Sequence, residues 1–212
     1  MPKPTAHERQ LSLEGQALFY GMDKRRNYRR AFPILMQAAM SGDAHCQNLV
    51  GCCLSEGLGV DVDLKSARRW FAKAAKQGHV EAIGNLAVAY ELGKGVRRNY
   101  RRAFLLYSKA ATRGDPWAQN NLAILSLEGK GTKRAPSVAV HWLRTAARKG
   151  DVAAMYNLGL AYLDGTGVRK SWRFAKTWLS KATANEHKLA SRRLKDEERI
   201  RRSQIRTRAK NQ

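Results

Sequence analysis

The segment NLAVAYELGKGVRRNYRRAFLLYSKAATRG, residues 85–114, decides the fold. Its apolar side chains fall into two groups, each with the i, i+3, i+4 spacing of one helix face. The first group is Leu86, Ala89 and Tyr90, and the second is Ala103, Leu106, Tyr107 and Ala110. Gly93 and Gly95 separate the groups, and glycine readily takes the left-handed backbone that ends a helix. The segment therefore predicts two helices joined by a glycine turn, with Gly114 ending the second helix.

The same pattern recurs with a period of 36 residues along most of the chain. The copies begin at Asp43, His79, Asp115 and Asp151. The octapeptide of residues 25–32 also recurs unchanged at residues 97–104, an offset of 72 residues or two periods. We expect two alanine columns to let the helices approach closely and one bulky column to fill the core between them. These columns are Ala67, Ala103, Ala139 and Ala175; Ala74, Ala110, Ala146 and Ala182; and Trp70, Leu106, Trp142 and Trp178.

The repeats predict an all-α solenoid and divide the chain into three parts. Residues 1–12 are expected to form a flexible N-terminus. Residues 13–186 are expected to form the solenoid, because stacked helix pairs bury a continuous core that no single pair can bury. Its units are a partial repeat, 13–42, and four full repeats, 43–78, 79–114, 115–150 and 151–186. Residues 187–212 are expected to form a basic C-terminal capping helix and tail.

The charge balance favours an anionic partner. The 212 residues include 40 Lys and Arg against 17 Asp and Glu, which gives a net charge of +23. Met1–Gln10 lacks the apolar core of a secretory signal, and no run approaches the length of a membrane-spanning helix. The three cysteines lie within eight residues and are odd in number, unlike the disulfide framework of a secreted scaffold. These features predict a cytoplasmic protein.

Two segments connect the chain to a known family. Residues 85–114 and NLGLAYLDGTGVRKSWRFAKTWLSKA, residues 157–182, resemble Sel-like repeats, which are relatives of the tetratricopeptide repeat. The resemblance implies a right-handed α/α superhelix whose first helices line the concave face, and a scaffold or adaptor role without catalysis. Some members of the family are secreted and pair cysteines between neighbouring repeats. Here the position that would pair with Cys46 is Ala39, which argues against that branch.

Basic residues occupy one repeat column just after the glycine turn and a second column one helical turn later. Equivalent positions in a solenoid stack along one edge, so we expect these side chains to form a basic edge, interrupted by Asp61 and Asp63. Its members are Arg25, Arg26, Arg29, Arg30, Arg97, Arg98, Arg101, Arg102, Lys133, Arg134, Arg169, Lys170 and Arg173. A basic tail follows, with Arg192, Arg193, Arg199, Arg201, Arg202, Arg206 and Arg208. A solvated face that keeps the protein soluble is the simpler interpretation, but the net charge exceeds what solubility needs.

A second candidate surface is a groove along the first helices. In tetratricopeptide relatives, asparagines at these positions often hydrogen-bond the backbone of a bound peptide, and aromatic anchors are common hot spots. The predicted groove residues are Asn48, Asn85, Trp117, Asn120, Asn121, Tyr156 and Asn157. The asparagines also belong to the ordinary repeat pattern of the family, so they indicate no particular ligand.

Neither a metal site nor a catalytic site is predicted. The group that could hold a metal is His45, Cys46, Cys52 and Cys53. Its three cysteines, however, align with alanine, valine, leucine or isoleucine in the other copies, where a free cysteine behaves as a small hydrophobic residue. The five histidines show no HExxH context. There is no GxSxG motif, and the glycine pairs lack the strand context of a nucleotide-binding loop. We therefore expect no cofactor and no enzymatic activity.

The sequence predicts a non-enzymatic interaction scaffold or adaptor, in a bacterial regulatory setting, that binds another protein through the groove and the basic edge. An acidic surface or segment is the expected partner. The alternative is a nucleic-acid-associated protein that uses the basic edge and tail. Docking to a membrane is disfavoured because the tail lacks Trp and Phe. The partner's identity and the oligomeric state stay open.

Overall fold

A computed structural model describes residues 5–22 and 25–210, with the side chains of residues 205–210 left out. All regular structure in this part of the chain is α-helical, which confirms the predicted all-α fold. The helices are α1 (Ala6–Tyr20), α2 (Tyr28–Met40), α3 (Ala44–Glu56), α4 (Leu64–Lys76), α5 (Val80–Leu92), α6 (Tyr100–Thr112), α7 (Pro116–Glu128), α8 (Pro136–Arg148), α9 (Val152–Asp164), α10 (Trp172–Ala184) and α11 (Lys188–Lys210). None of the described helices combines the length and apolarity that crossing a lipid bilayer requires.

The chain folds into two compact units, residues 1–113 and 114–212. The first unit contains α1 to α6 and the second contains α7 to α11. Within each unit, every helix packs against the next helix in the chain. This order of contacts is that of stacked helix pairs, as the 36-residue period predicts.

Polar caps and glycines set the helix ends. The Asp43, Asp115 and Asp151 side chains each accept a hydrogen bond from the backbone N–H three residues later, at 2.7, 2.8 and 2.6 Å. Such caps satisfy N–H groups that have no partner inside the helix. Gly95 and Gly167 have φ of 66° and 71°, and a Cβ at either would collide with a backbone carbonyl of the second helix in the preceding repeat. Only glycine therefore allows each turn to pack this closely.

The two alanine columns line the core, as predicted, and each of their members is at most 2% exposed. The predicted bulky column is wrong by one position: Trp70, Leu106, Trp142 and Trp178 are only partly buried. The large buried side chains come one residue later, at Phe71, Tyr107, Leu143 and Leu179. Trp70 and Trp178 instead carry the ammonium groups of Lys73 and Lys181 over their rings, at 4.0 and 4.7 Å. Tryptophan favours this half-exposed position because its large ring can pack on one side and hold a cation on the other.

The N-terminal repeat is more complete than the sequence indicates. Helix α1 begins at Ala6, so residues 6–12, assigned above to a flexible N-terminus, are helical. The Thr5 hydroxyl accepts from the Glu8 N–H at 3.2 Å, and the Glu8 carboxylate accepts from the Thr5 N–H at 2.7 Å. This capping box stabilises the start of a helix that is too polar to show a clear apolar stripe. Residues 1–4 lie outside the described residues.

Candidate protein-interaction surfaces

The first unit carries eight members of the basic edge, in the α1–α2 and α5–α6 connections and the first turns of α2 and α6. All eight side chains are exposed: Arg25, Arg26, Arg29, Arg30, Arg97, Arg98, Arg101 and Arg102. The intervening α3–α4 connection is acidic, since it contains Asp61 and Asp63. Asp63 also caps α4, accepting from the N–H groups of Lys65 and Ser66 at 3.1 and 3.0 Å.

The second unit carries the other five members at the corresponding positions. They too are all exposed: Lys133, Arg134, Arg169, Lys170 and Arg173. None of the thirteen cationic groups forms an ion pair with a described residue. The positive charge of the basic edge is therefore not neutralised by the described acidic side chains.

A surface depression of about 460 Å³ lies among the first-unit members of the basic edge. Its lining residues are Tyr90, Val96, Arg97, Arg98, Asn99 and Arg102, and we call it the Tyr90 depression. The Arg102 guanidinium donates to the Tyr90 hydroxyl at 3.3 Å and lies 5.4 Å from the centre of the Tyr90 ring. Arg98 lies 5.3 Å from the Tyr100 ring centre. Asn99 fixes the start of α6 by accepting from the Arg102 N–H at 2.9 Å. The site combines an aromatic side chain with three guanidinium groups.

The second unit has a depression of about 400 Å³ at the same repeat positions. It is lined by Tyr162, Val168, Arg169, Lys170, Ser171 and Phe174, and we call it the Tyr162 depression. Here the Phe174 ring lies 5.1 Å from the Tyr162 ring, and Arg144 donates to the Tyr162 hydroxyl at 3.2 Å. This depression is more apolar because a phenylalanine stands where the first has an arginine.

Two of the predicted groove residues are structural. Asn48 and Asn120 are only 2% and 4% exposed. The Asn85 amide donates to the Asn48 oxygen at 2.9 Å, and the Asn157 amide donates to the Asn120 oxygen at 2.9 Å. The prediction that Asn48 and Asn120 face a peptide is therefore wrong for this structure. These amides of adjacent first helices hydrogen-bond each other, since a buried amide requires a hydrogen-bond partner.

The remaining groove residues differ in accessibility. Trp117 is 41% exposed, which makes it the most accessible of the predicted aromatic anchors. Tyr156 is partly buried and stacks on His187, with ring centres 4.6 Å apart. The Asn121 side-chain nitrogen is buried and has no hydrogen-bond partner among the described residues.

The basic tail begins as part of α11, which packs on α10. Arg193 pairs with Glu197 at 3.1 Å, and Arg201 lies 4.4 Å from the Trp172 ring centre. Arg192, Arg199 and Arg202 are exposed. The side chains of Arg206 and Arg208 lie outside the described residues.

The cysteines occupy packed positions. Burial raises the pKa of Cys46 and Cys53 to about 11 and that of Cys52 to about 12. The Cys46 sulfur also contacts the Ser12 hydroxyl at 3.3 Å. At neutral pH these thiols stay protonated, and a thiol rather than a thiolate is a poor nucleophile and metal ligand.

A cluster that sequence reasoning missed joins His45, His79 and Glu81. His45 Nδ1 lies 3.2 Å from His79 Nε2, and one ligand atom from each of the three residues lies within 4.8 Å of the other two. Burial, followed by the neighbouring His45, lowers the pKa of His79. The histidines occupy different columns, the third position of one repeat and the first of the next. The signal was therefore not the recurrence of one column but the stacking of consecutive first helices, which brings positions about one repeat apart into contact, here 34 residues.

Helix pairs repeated every 36 residues define the class of α-solenoid repeat proteins. The profile of the Sel1 repeat matches residues 10–43, 44–79, 80–115, 118–151 and 152–187. The chain belongs to the Sel1 repeat family, whose members generally act as protein-interaction scaffolds.

Solved structures of bacterial proteins share this fold. The protein c5321 is a protective antigen present in uropathogenic Escherichia coli strains and displays an SLR fold. It is 29% identical to this chain over 89% of the chain's length, with a TM-score of 0.80. The match spans 40% of that protein. A Sel1 repeat protein from Oxalobacter formigenes is 27% identical with a TM-score of 0.82, over 88% of this chain and 74% of its own. The immunity protein Pa5087 from Pseudomonas aeruginosa is 18% identical with a TM-score of 0.58, over 90% of this chain and 70% of its own, and shows the fold alone. No curated protein matches the chain.

Proposed function

We propose that the chain is a non-enzymatic cytoplasmic adaptor that binds an acidic segment of another protein at the basic edge. The observation that carries this proposal is the Tyr90 depression, in which Arg97, Arg98 and Arg102 surround an aromatic side chain. Guanidinium groups recognise carboxylates with paired hydrogen bonds, and the Tyr90 ring provides apolar contact for a neighbouring side chain. The preferred ligand is therefore a segment that combines acidic and aromatic or aliphatic residues.

The charge of the whole chain supports the same partner. A net charge of +23 attracts an acidic protein over distance and raises the rate of encounter. Exposed ion pairs each contribute only about 0.2–1 kcal/mol, so selectivity must come from the depression rather than from the charge alone. Binding should accordingly weaken with salt but persist near physiological ionic strength, where charges more than about 8 Å apart are screened.

The groove along the first helices has a smaller role in this proposal. With Asn48 and Asn120 occupied by other amides, its most accessible anchor is Trp117. A large exposed aromatic side chain is a common hot spot of protein interfaces. We assign Trp117 as a separate, secondary contact within the second unit.

Nucleic acid is the second candidate, and helix α11 favours it. Arg192, Lys195, Arg199 and Arg202 are exposed on this helix. Residues 188–212 contain no aromatic side chain on which a base could stack. Binding through this helix would be directed at phosphates and blind to sequence, and its affinity would fall steeply with salt.

Two charge-matched triple variants test the proposal. Arg97, Arg98 and Arg102 are changed to alanine in one, and the exposed Arg192, Lys195 and Arg202 are changed to alanine in the other. Partners are captured from nuclease-treated extract near physiological salt and identified, and their affinity for each purified variant is then measured. Loss of three rim ion pairs at about 0.5 kcal/mol each predicts about tenfold weaker binding for the first variant only.

The opposite result assigns the interaction to α11. If nuclease releases every captured protein, or if only the α11 variant loses binding, the adaptor proposal is wrong and nucleic acid becomes the leading ligand. Equal losses in both variants would show that net charge, and not the Tyr90 depression, drives the association.

A further inference from the structure

We propose that His45, His79 and Glu81 form a binding site for a divalent first-row transition metal ion of the Zn²⁺ type. The three residues lie within the first unit, at the N-terminal ends of α3 and α5. Two imidazoles and one carboxylate form a ligand set that suits Zn²⁺ and leaves a coordination position for water.

The separation of the histidine nitrogens fits this ligand set. Zinc–nitrogen bonds of 2.0–2.1 Å at tetrahedral angles place two nitrogens about 3.3 Å apart. His45 Nδ1 and His79 Nε2 are 3.2 Å apart. The Glu81 carboxylate has an oxygen within 4.8 Å of one ring nitrogen of each histidine, and its side chain is exposed, so a side-chain rotation can bring it to the third position.

The surroundings already orient two of the three ligands. The Tyr20 hydroxyl lies 3.3 Å from His45 Nε2, which is the ring nitrogen that would not bind the metal. The buried Asn48 amide donates to the Glu81 carboxylate at 3.4 Å and is itself held by Asn85 at 2.9 Å. Hydrogen bonds of this kind fix ring tautomers and carboxylate positions around metal sites.

The third ligand must change its hydrogen bonding. His79 Nδ1 accepts from the Ala82 N–H at 3.3 Å, so without metal the ring proton is on Nε2 and points to His45 Nδ1. Metal binding at Nε2 transfers this proton to Nδ1, with no net proton release from a neutral ring. The Ala82 N–H then loses its acceptor, and the metal bond replaces a weak cap with a link between α3 and α5.

The test uses the full chain without an affinity tag. Zn²⁺ binding is measured by calorimetry, and Co²⁺ replaces Zn²⁺ to report tetrahedral coordination in its visible absorption. We expect one saturable ion per chain. His45→Ala removes one ligand, and His79→Asn removes another while keeping a side chain that caps helices well. Each substitution should abolish saturable binding.

Two further variants measure how much Glu81 and Tyr20 contribute to metal affinity. Glu81→Gln keeps an acceptor for Asn48 but removes the charge, so it should weaken binding. Tyr20→Phe removes the hydroxyl beside His45 and should weaken binding about tenfold, the lower end of the usual effect of an outer partner.

His187→Asn is the matched control for His79→Asn. His187 also caps a helix, accepting from the Ala190 N–H at 3.1 Å. The position that corresponds to His45 in the preceding repeat is Ala153, so His187→Asn should leave metal binding unchanged. Circular dichroism checks that each variant is folded. The proposal is overturned if the wild-type chain shows no saturable binding, or if folded His45→Ala and His79→Asn chains bind as the wild type does.

Discussion

The Tyr90 and Tyr162 depressions occupy the same repeat positions, but their chemistry differs. Both have a tyrosine, a valine after the glycine turn and two basic residues. Three of the six lining columns differ, and the largest chemical change is at one of them: Arg102 bonds the Tyr90 hydroxyl, whereas Phe174 packs beside the Tyr162 ring. The repeat backbone therefore places a depression at each site, and its lining side chains, above all the one at the Arg102 and Phe174 position, set how polar it is.

The glycine turns beside both depressions should show the largest effect when changed. Gly95→Ala and Gly167→Ala add a Cβ that collides with a backbone carbonyl while φ stays positive. We expect each to lower the free energy of unfolding by about 3 kcal/mol. Urea denaturation measures the loss.

Gly42→Ala and Gly150→Ala are the controls, because their added Cβ meets no atom within 4 Å. They should cost only the backbone strain of a left-handed alanine, about 1–2 kcal/mol. Equal losses at all four glycines would show that the close packing of the turns is unimportant.

The amide pairs give the next largest effect. Asn85→Ala and Asn157→Ala leave the buried oxygens of Asn48 and Asn120 without their donors. An unsatisfied buried polar group costs about 1–3 kcal/mol, so we expect a loss near 2 kcal/mol in each unit. Thermal and urea denaturation measure it.

Double variants check the cause of that loss. Removing Asn48 with Asn85, or Asn120 with Asn157, eliminates both partners, so the two substitutions should cost less than the sum of the single losses. Additive losses would mean that the amides do not depend on each other.

Exchanging the distinguishing side chains should produce a smaller change. Arg102→Phe removes one exposed cation from the Tyr90 depression, and Phe174→Arg adds one to the Tyr162 depression. With one ion pair contributing about 0.2–1 kcal/mol, affinity for an acidic peptide should fall or rise up to about fivefold. Fluorescence anisotropy with a short acidic peptide containing a central tyrosine measures both. Unchanged affinity in both variants would show that the side chain at this repeat position does not determine the recognition of acidic peptides.

The smallest effect concerns the cap of α9, the helix that carries Tyr162. Burial, and next the charge of Asp115, raise the pKa of Asp151 above its ordinary value of 3.8. A raised folded-state pKa means that this carboxyl favours the folded state below its unfolded pKa, and that this contribution is lost as pH rises through the folded pKa.

Asp151→Asn keeps the capping oxygen and removes the titration. The variant should therefore gain stability relative to the wild type as pH rises from about 4 to about 7. Urea midpoints at the two pH values measure the gain. A variant that becomes relatively less stable at the higher pH would show that the charge stabilises α9 through the helix dipole more than burial opposes it.

Local patterns in the sequence predicted the fold well. Glycine turns, alanine columns and acidic caps act within a few residues, so a linear pattern contains them. The misplaced tryptophan column shows the limit of this reasoning, because neighbouring helix residues are both apolar and only packing decides which of them is buried. The missed start of α1 has a related cause, since a capping box can begin a helix without an apolar stripe.

The surfaces were predictable only in part. Exposure of the basic edge follows from charge, because burying thirteen cations without anionic partners would cost far more free energy than the fold can supply. The groove asparagines could not be assigned in the same way, because Asn48 looks identical in sequence whether it faces a peptide or accepts from Asn85. The contact between His45 and His79 could not be predicted either, because it joins two different repeat positions in consecutive repeats.

The sequence by itself determined the all-α repeat, its period, its glycine turns and the positive charge on the connections, since each depends on local conformation or composition. Tertiary structure decided which amides satisfy each other, which tryptophan face stays exposed and that His45, His79 and Glu81 meet. These outcomes depend on contacts between repeats, whose geometry arises only when consecutive helices stack.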